Sequence, residues 1–164
     1  MRYFITFACY GAHLHGDESG SVDRHCHVFG SGVLEADPHR AAAERRNMKQ
    51  AAYELNSDCR TVVLETLREV CSHRGWILLA AHVRSNHVHV IVEAEAPPEK
   101  VMNDFKAYAS RALNQLEGDA PGRKRWAGHG STRWLWKDRD VREAIRYVVE
   151  EQGQPMAVFL GDVP

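Results

Sequence analysis

His87 and His89 stand one residue apart in the run Ser85-Asn86-His87-Val88-His89-Val90-Ile91-Val92. Successive side chains of a strand point to opposite faces, so the two imidazoles share one face while Val88, Val90 and Val92 share the other. Their bases lie about 6.6 Å apart along a strand, so both tips can converge on one metal ion at about 2 Å from each. Two other His-x-His strings, His13-Leu14-His15 and His25-Cys26-His27, occur in a Gly/Asp/Ser-rich stretch with no regular backbone to aim a side chain. Only His87-Val88-His89 sits in a β-branched, alternating run. The competing reading is a half-buried strand whose histidines merely face solvent.

A metal-binding pair needs a partner that reacts. The next helix carries Tyr108 on an apolar stripe of Val101, Phe105, Tyr108, Ala112 and Leu116. A divalent ion on the histidines could neutralise charge developing on a phosphodiester, and a tyrosine could attack phosphorus to give a covalent phosphotyrosyl link. Such a link keeps the ester reactive, so a cut strand can be rejoined without another energy source. An aromatic on an amphipathic helix is also, on its own, an ordinary core residue.

The elements that would hold these groups follow from periodicity and breakers. Residues 2–9 alternate as a first strand, and Gly11 to Asp23 reads as a loop. Asp37-Pro38 opens an Ala-rich, charged helix to about Leu55, and Ser57-Asp58 caps a second whose Val62, Val63, Leu67 and Val70 face inward until Gly75. Trp76 to Val83 is an apolar run expected to be a strand buried on both faces, and Arg84-Ser85-Asn86 turns it into the histidine strand as an antiparallel hairpin. Pro97-Pro98 ends that ladder, and Glu99 starts the tyrosine helix, which runs to about Glu117. Gly118 to Ser131 is expected to be a long polar loop, Thr132 to Trp136 a strand, Asp138 to about Glu150 a last helix with Val141, Ile145 and Val148 inward, and Met156 to Leu160 a short strand. This order argues for an α+β fold with helices layered on a mainly antiparallel sheet.

The chain has 164 residues, 44 % hydrophobic and 26 % charged, with net charge −1 and no apolar run long enough to span a membrane. One domain over residues 1–164 is expected, and with no signal-peptide pattern at Met1 to Phe7 a cytoplasmic location follows. Cys9, Cys26, Cys59 and Cys71 have no C-x-x-C spacing and read as free thiols. Global charge announces no nucleic-acid partner, but Phe105 to Tyr147 carries ten Lys and Arg against five Asp and Glu. Within it Arg123, Lys124 and Arg125 are candidate phosphate contacts, and Arg133, Trp134 and Trp136 a candidate surface for stacking and binding DNA.

Three segments together resemble the single-tyrosine HUH transposases, which include the REP-associated tyrosine transposases and the transposases of the smallest single-strand insertion sequences. They are Ser85 to Val92, Asp104 to Arg111, and Gly130-Ser131-Thr132-Arg133-Trp134-Leu135-Trp136, with support from Tyr10-Gly11, Gly16 to Asp23 and Arg146 to Glu150. The resemblance covers most of the chain. It implies a ferredoxin-like fold with the His-x-His on a central strand, and Mg²⁺ or Mn²⁺ on His87 and His89. It also implies Tyr108 as the nucleophile that cuts single-stranded or hairpin DNA through a 5′-phosphotyrosine, and it leaves monomer and homodimer open.

One departure stands out. Relatives often carry an amide-bearing third ligand one helical turn after the tyrosine, and here that position is Ala112. Asn114 lies on the wrong side of the helix, and Glu93 is too far along the strand. The third ligand is therefore unassigned by sequence. Two other functions stay open: a domesticated DNA-binding module that does not cut, and a zinc-stabilised interaction protein using His13, His15, Cys26 and His27.

Overall fold

Alternate residues of the first strand are buried, with Tyr3, Ile5, Phe7 and Cys9 inside and Arg2, Phe4, Thr6 and Ala8 only partly covered. That alternation divides the sheet into two unlike faces. The computed structural model describes residues 1–12, 39, 42, 46, 48–118 and 122–163. Among them run β1 (Arg2–Cys9), α1 (Ser57–Arg74), β2 (Ile77–Val83), β3 (His87–Glu93), α2 (Pro98–Glu117), β4 (Trp126–Trp134), α3 (Asp138–Glu150) and β5 (Ala157–Leu160).

The strands lie in the order β4-β1-β3-β2-β5, and each neighbouring pair is antiparallel. The first four strands and first two helices form the split β-α-β arrangement of ferredoxin-like folds, so the expected fold class and the central place of the histidine strand both hold. α1 and α2 pack on one face, where Val63, Leu67, Phe105 and Leu113 enclose Ile5, Phe7, Val88, Val90 and Val92. Among the described elements α3 covers the other, with Val141, Ile145 and Val148 against Leu79, Ala80 and Ile91. No described helix is long and apolar enough to cross a membrane.

Local signals hold at most boundaries. The Asn56 side chain accepts from the Cys59 amide to start α1, and Gly75, at φ 71°, ends it in the left-handed conformation. Three expectations change. Residues 39, 42 and 46 are helical, but Met48 to Asn56 is not, so the first expected helix stops short of Leu55. The buried stripe of α2 is Pro98, Val101, Met102, Phe105, Ala109 and Leu113, while Leu116 is exposed. β4 begins at Trp126, inside the expected loop. Gly128 and Gly130 fall within that expected loop, yet Gly130 is needed for close approach: a Cβ there would lie 2.6 Å from the Thr6 carbonyl oxygen.

Candidate active site

The strand registers line up one row of residues across the sheet. Ser131 on β4 pairs with Thr6 on β1, Thr6 with His89 on β3, His89 with His82 on β2, and His82 with Val158 on β5. Paired residues share a face, so Thr6, His82 and His89 all lie on the side covered by α3. His87 lies one alternation along, with its ring centroid 4.7 Å from that of His89. The expected alternation of histidines against valines is therefore present.

Each imidazole is held by a second group. Asn86 Oδ1 can only accept, so the 2.6 Å contact places a proton on His87 Nδ1. His89 Nδ1 meets the Thr6 hydroxyl at 2.8 Å, and Nε2 donates to Gln152 Oε1 at 3.1 Å. The Thr6 hydroxyl can donate or accept, so His89 can move its proton to Nδ1 and expose Nε2 without losing that bond. Burial pushes the His89 pKa down to about 3, and the adjacent His87 acts in the same direction. His89 is thus neutral near pH 7, the state that binds metal.

Gln152 is the side-chain amide that meets the histidine pair. Its Oε1 faces His89 while its Nε2 donates to the backbone carbonyl of Tyr147 at 3.3 Å, so its carbonyl end is turned toward the histidines. His87, His89 and Gln152 are the residues that would hold a divalent ion here, which would supply positive charge to an anionic substrate. Two imidazoles and one amide oxygen are a donor set that Mg²⁺ or Mn²⁺ tolerates, with water filling the remaining positions. No cluster of three or more His, Cys, Asp and Glu suited to a metal occurs among the described residues.

Tyr147, on the last turn of α3, is the tyrosine that reaches this group. Its ring centroid is 5.9 Å from His89 and 6.0 Å from Phe4, and the residue is 41 % exposed. Tyr108 does not come near the pair. It packs against the cluster of Val88, Val90 and Val92 on the opposite face, with the Arg111 guanidinium 4.8 Å from its ring centroid. The sheet stands between Tyr108 and both imidazoles, so within one chain the expected attack by Tyr108 cannot occur.

The expected DNA contacts divide in the same way. Arg125 is 2 % exposed, paired with Glu117 at 2.6 Å and bonded to Asn114, so it cannot reach a phosphate. Arg123 is held by Gln50 and the carbonyls of Ala51, Ala52 and Lys124. Lys124 is exposed, with its ammonium 5.5 Å from the Tyr10 ring centroid. Arg133 pairs in register with Phe4 and so lies on the histidine face, one row from the site. Trp134 and Trp136 are 40 % and 67 % exposed and stacked 5.1 Å apart, with Trp134 on the Tyr3 face and Trp136 beyond the strand end. Ala112 is remote from the histidines with the rest of α2, Asn114 is engaged by Arg125, and Glu93 lies in the row of Arg2 and Ile77. His13, His15, Cys26 and His27 lie outside the described residues.

Sequence reasoning missed Thr6, Tyr147 and Gln152. Thr6 had a usable signal, as a polar residue alternating with buried apolar ones on a strand next to the histidines.

The family model for IS200-like transposases matches residues 46–149. No curated protein matches. Among solved structures, the chain is similar to a REP-associated tyrosine transposase bound to a REP hairpin, at 11 % identity and a TM-score of 0.49 over 92 % of this chain. It spans 65 % of the length of that protein's chain. It is also similar to a Deinococcus radiodurans R1 protein described as a transposase, at 13 % identity and a TM-score of 0.47, covering 93 % of this chain and 90 % of that one.

Proposed function

The chain belongs to the IS200-like transposases, and from that premise we propose that it cuts and rejoins single-stranded, hairpin-bearing DNA with Tyr147 as nucleophile and His87, His89 and Gln152 as the metal-binding set. Transposases of this family are metal-dependent and act on DNA by cleavage and strand transfer; the chemical details are our reading. The observation that carries it is the contact of Tyr147 and Gln152 with His89 on one face of the sheet.

A divalent ion, Mg²⁺ or Mn²⁺, would supply positive charge to the oxygens of the scissile phosphate. The Tyr147 oxygen forms a bond to phosphorus as the bond to the 3′-oxygen breaks. The phenol proton is lost and the leaving oxygen gains one, which gives a 5′-phosphotyrosine and a free 3′-hydroxyl. Attack by another 3′-hydroxyl reverses the step and releases the tyrosine. Phe4 flanks the Tyr147 ring and limits where it can swing. Arg133 on the same face, with Lys124 exposed nearby in sequence, serves phosphate contact, and the Trp134–Trp136 stack offers an aromatic face to a base. One domain over residues 1–164 is part of this reading, and monomer or homodimer is left to measurement.

The test uses single-stranded DNA selected for binding from a random pool, with Mg²⁺ or Mn²⁺, and reads the protein–DNA adduct on a denaturing gel. Wild type and Tyr108→Phe should form adduct, and Tyr147→Phe should bind DNA without forming it. Adduct formation by Tyr147→Phe refutes the assignment. Salt-sensitive binding with no adduct from wild type in either metal would instead establish a non-cleaving DNA-binding module.

A further inference from the structure

His82 is the second histidine of the row, beside His89, and it is fully buried. Neither DNA nor a metal ion can reach it from solvent. Both of its ring nitrogens are spent on the backbone of the C-terminal segment. Nδ1 donates to the Val148 carbonyl at 2.9 Å, and Nε2 accepts from the Met156 amide at 3.1 Å. Val148 directly follows Tyr147, and Met156 closes the loop that contains Gln152.

The end of α3 is also held by Glu151 and Gln152, which donate to the Tyr147 carbonyl, and by the Arg146–Glu151 ion pair. The last residue of α3 is followed by Glu151 at φ −106°, so no left-handed cap ends the helix, and its remaining final carbonyls need partners from elsewhere. His82 supplies one from a neighbouring strand. Arg84, two residues on along the same chain segment, donates to the Gln154 carbonyl at 3.0 Å and approaches His82 Nε2 at 3.5 Å. Between these anchor points the chain reverses at Gly153, at φ 75°. The stretch that brings Tyr147 and Gln152 to His89 is therefore pinned on both sides of Gln152 by two residues from the β2 end.

We infer that His82, backed by Arg84, is a positioning residue that holds the C-terminal end of α3 over the histidine pair and so sets where Tyr147 and Gln152 sit. This rests on the assignment of Tyr147 and Gln152 above, but its structural half can be tested without DNA or metal. His82→Phe keeps a ring and removes both hydrogen bonds. His82→Asn keeps a donor at the reach of Nδ1, and His82→Gln keeps an acceptor at the reach of Nε2.

The experiment labels the protein with 3-fluorotyrosine and follows the ¹⁹F resonance of Tyr147, assigned by its loss in Tyr147→Phe, with Tyr3 in the opposite core as control. Hydrogen exchange at the Met156 amide is measured in parallel. His82→Phe should shift or broaden Tyr147 alone. His82→Asn should restore the Tyr147 line but leave Met156 exchanging fast, and His82→Gln should do the reverse. An unchanged Tyr147 line in His82→Phe, or Tyr147 and Tyr3 moving together, overturns the inference. If His82→Phe does not fold, the opposed behaviour of the Asn and Gln variants decides, and identical behaviour in both overturns it. In the adduct assay His82→Phe should bind DNA as wild type does while attaching about ten- to a hundredfold more slowly, as expected for a misplaced reacting group. An unchanged rate also overturns the inference, whereas absence of adduct from wild type counts against the transposase mechanism and not against the clamp.

Discussion

Replacing Glu117 by Ala should unfold the protein far more readily while leaving DNA contact unchanged, because Glu117 neutralises a guanidinium that has no route to water. The Arg125 side chain is 0 % exposed, with Nη1 2.6 Å from Glu117 Oε2 and Nε and Nη2 at 3.2 and 3.0 Å from Asn114 Oδ1. Its guanidinium lies 4.8 Å from the Tyr53 ring centroid. Removing one partner of a buried pair costs about 3–5 kcal/mol when the other charge is left buried, and Arg125 keeps its bonds to Asn114. Glu117 is itself 27 % exposed, so water can enter where it stood and the lower end, about 3 kcal/mol, applies. For a chain of this size that is roughly 6–12 °C in melting temperature.

The pair also sets an acid sensitivity. Burial by itself raises the Glu117 pKa, but hydrogen bonds from Arg125, Cys59 and Tyr53 together with the Arg125 charge outweigh it, and the net pKa lies below the usual carboxylate value. A carboxyl whose folded pKa is depressed stabilises the fold fully above its unfolded pKa, and that contribution is lost as pH falls through the folded value. Urea unfolding followed by tryptophan fluorescence, at neutral pH and again through the acid range, measures both effects in Glu117→Ala and Glu117→Gln. The denaturation midpoint should fall with an unchanged m-value, and the acid-dependent part that Glu117 contributes should disappear. A loss below about 1 kcal/mol would show that Arg125 is hydrated or paired elsewhere. The reasoning that removes it from the DNA surface would then fail.

Gly130→Ala should cost about 1–3 kcal/mol in the same urea assay, since its Cβ would meet the Thr6 carbonyl oxygen at 2.6 Å and backbone cannot yield as the nearby Met102 side chain can. Gln152→Ala should weaken Mn²⁺ binding measured by calorimetry by about tenfold or more, the loss expected when a group at a metal site is removed, with little change in urea midpoint. Lys124→Ala and Arg133→Ala should each lower the slope of log affinity for single-stranded DNA against log salt by about 0.7. Trp136→Ala should weaken binding by about 1–3 kcal/mol with the slope intact.

Much of the fold was legible because short-range signals agree with long-range packing. The alternation of β1 and β3, the hairpin around Ser85, the proline stop at Pro97 and the glycine end at Gly75 each specify one local geometry, and the sheet satisfies them together. What the sequence could not state was depth. Arg123, Lys124 and Arg125 are three adjacent cations in a polar stretch, and only the surrounding fold makes the third a buried partner of Glu117 and the second an exposed charge. Trp134 and Trp136 pose the converse case: aromatic residues two apart could fill a core, yet both are exposed at the sheet margin.

The tyrosine is the deeper lesson, because the information needed to choose it was in the chain. Tyr108 drew attention as the first tyrosine on a helix after the histidines, and nearness in sequence stood in for nearness in space. Handedness argues otherwise. Crossover connections in one sheet are right-handed, so in the 4-1-3-2 strand order α1 and α2 must lie on the same face. Val88, Val90 and Val92 form an unbroken apolar face that needs two helices to cover it, whereas His87, His89 and Ile91 need only partial cover at the Ile91 end. Tyr108, on α2, is thereby committed to the valine face. The helix after β4 is the one left for the histidine face, and α3 lies there with Val141, Ile145 and Val148 over Ile91 and Tyr147 beside His89. The same step points to the third donor of the proposed site. An amide about one turn beyond the nucleophile is missing after Tyr108, where Ala112 stands, but Gln152 follows Tyr147 just past the end of its helix, and its Oε1 lies 3.1 Å from His89 Nε2. In the proposed site, then, the donor missing beside Tyr108 is sought on the opposite face of the sheet, beside Tyr147.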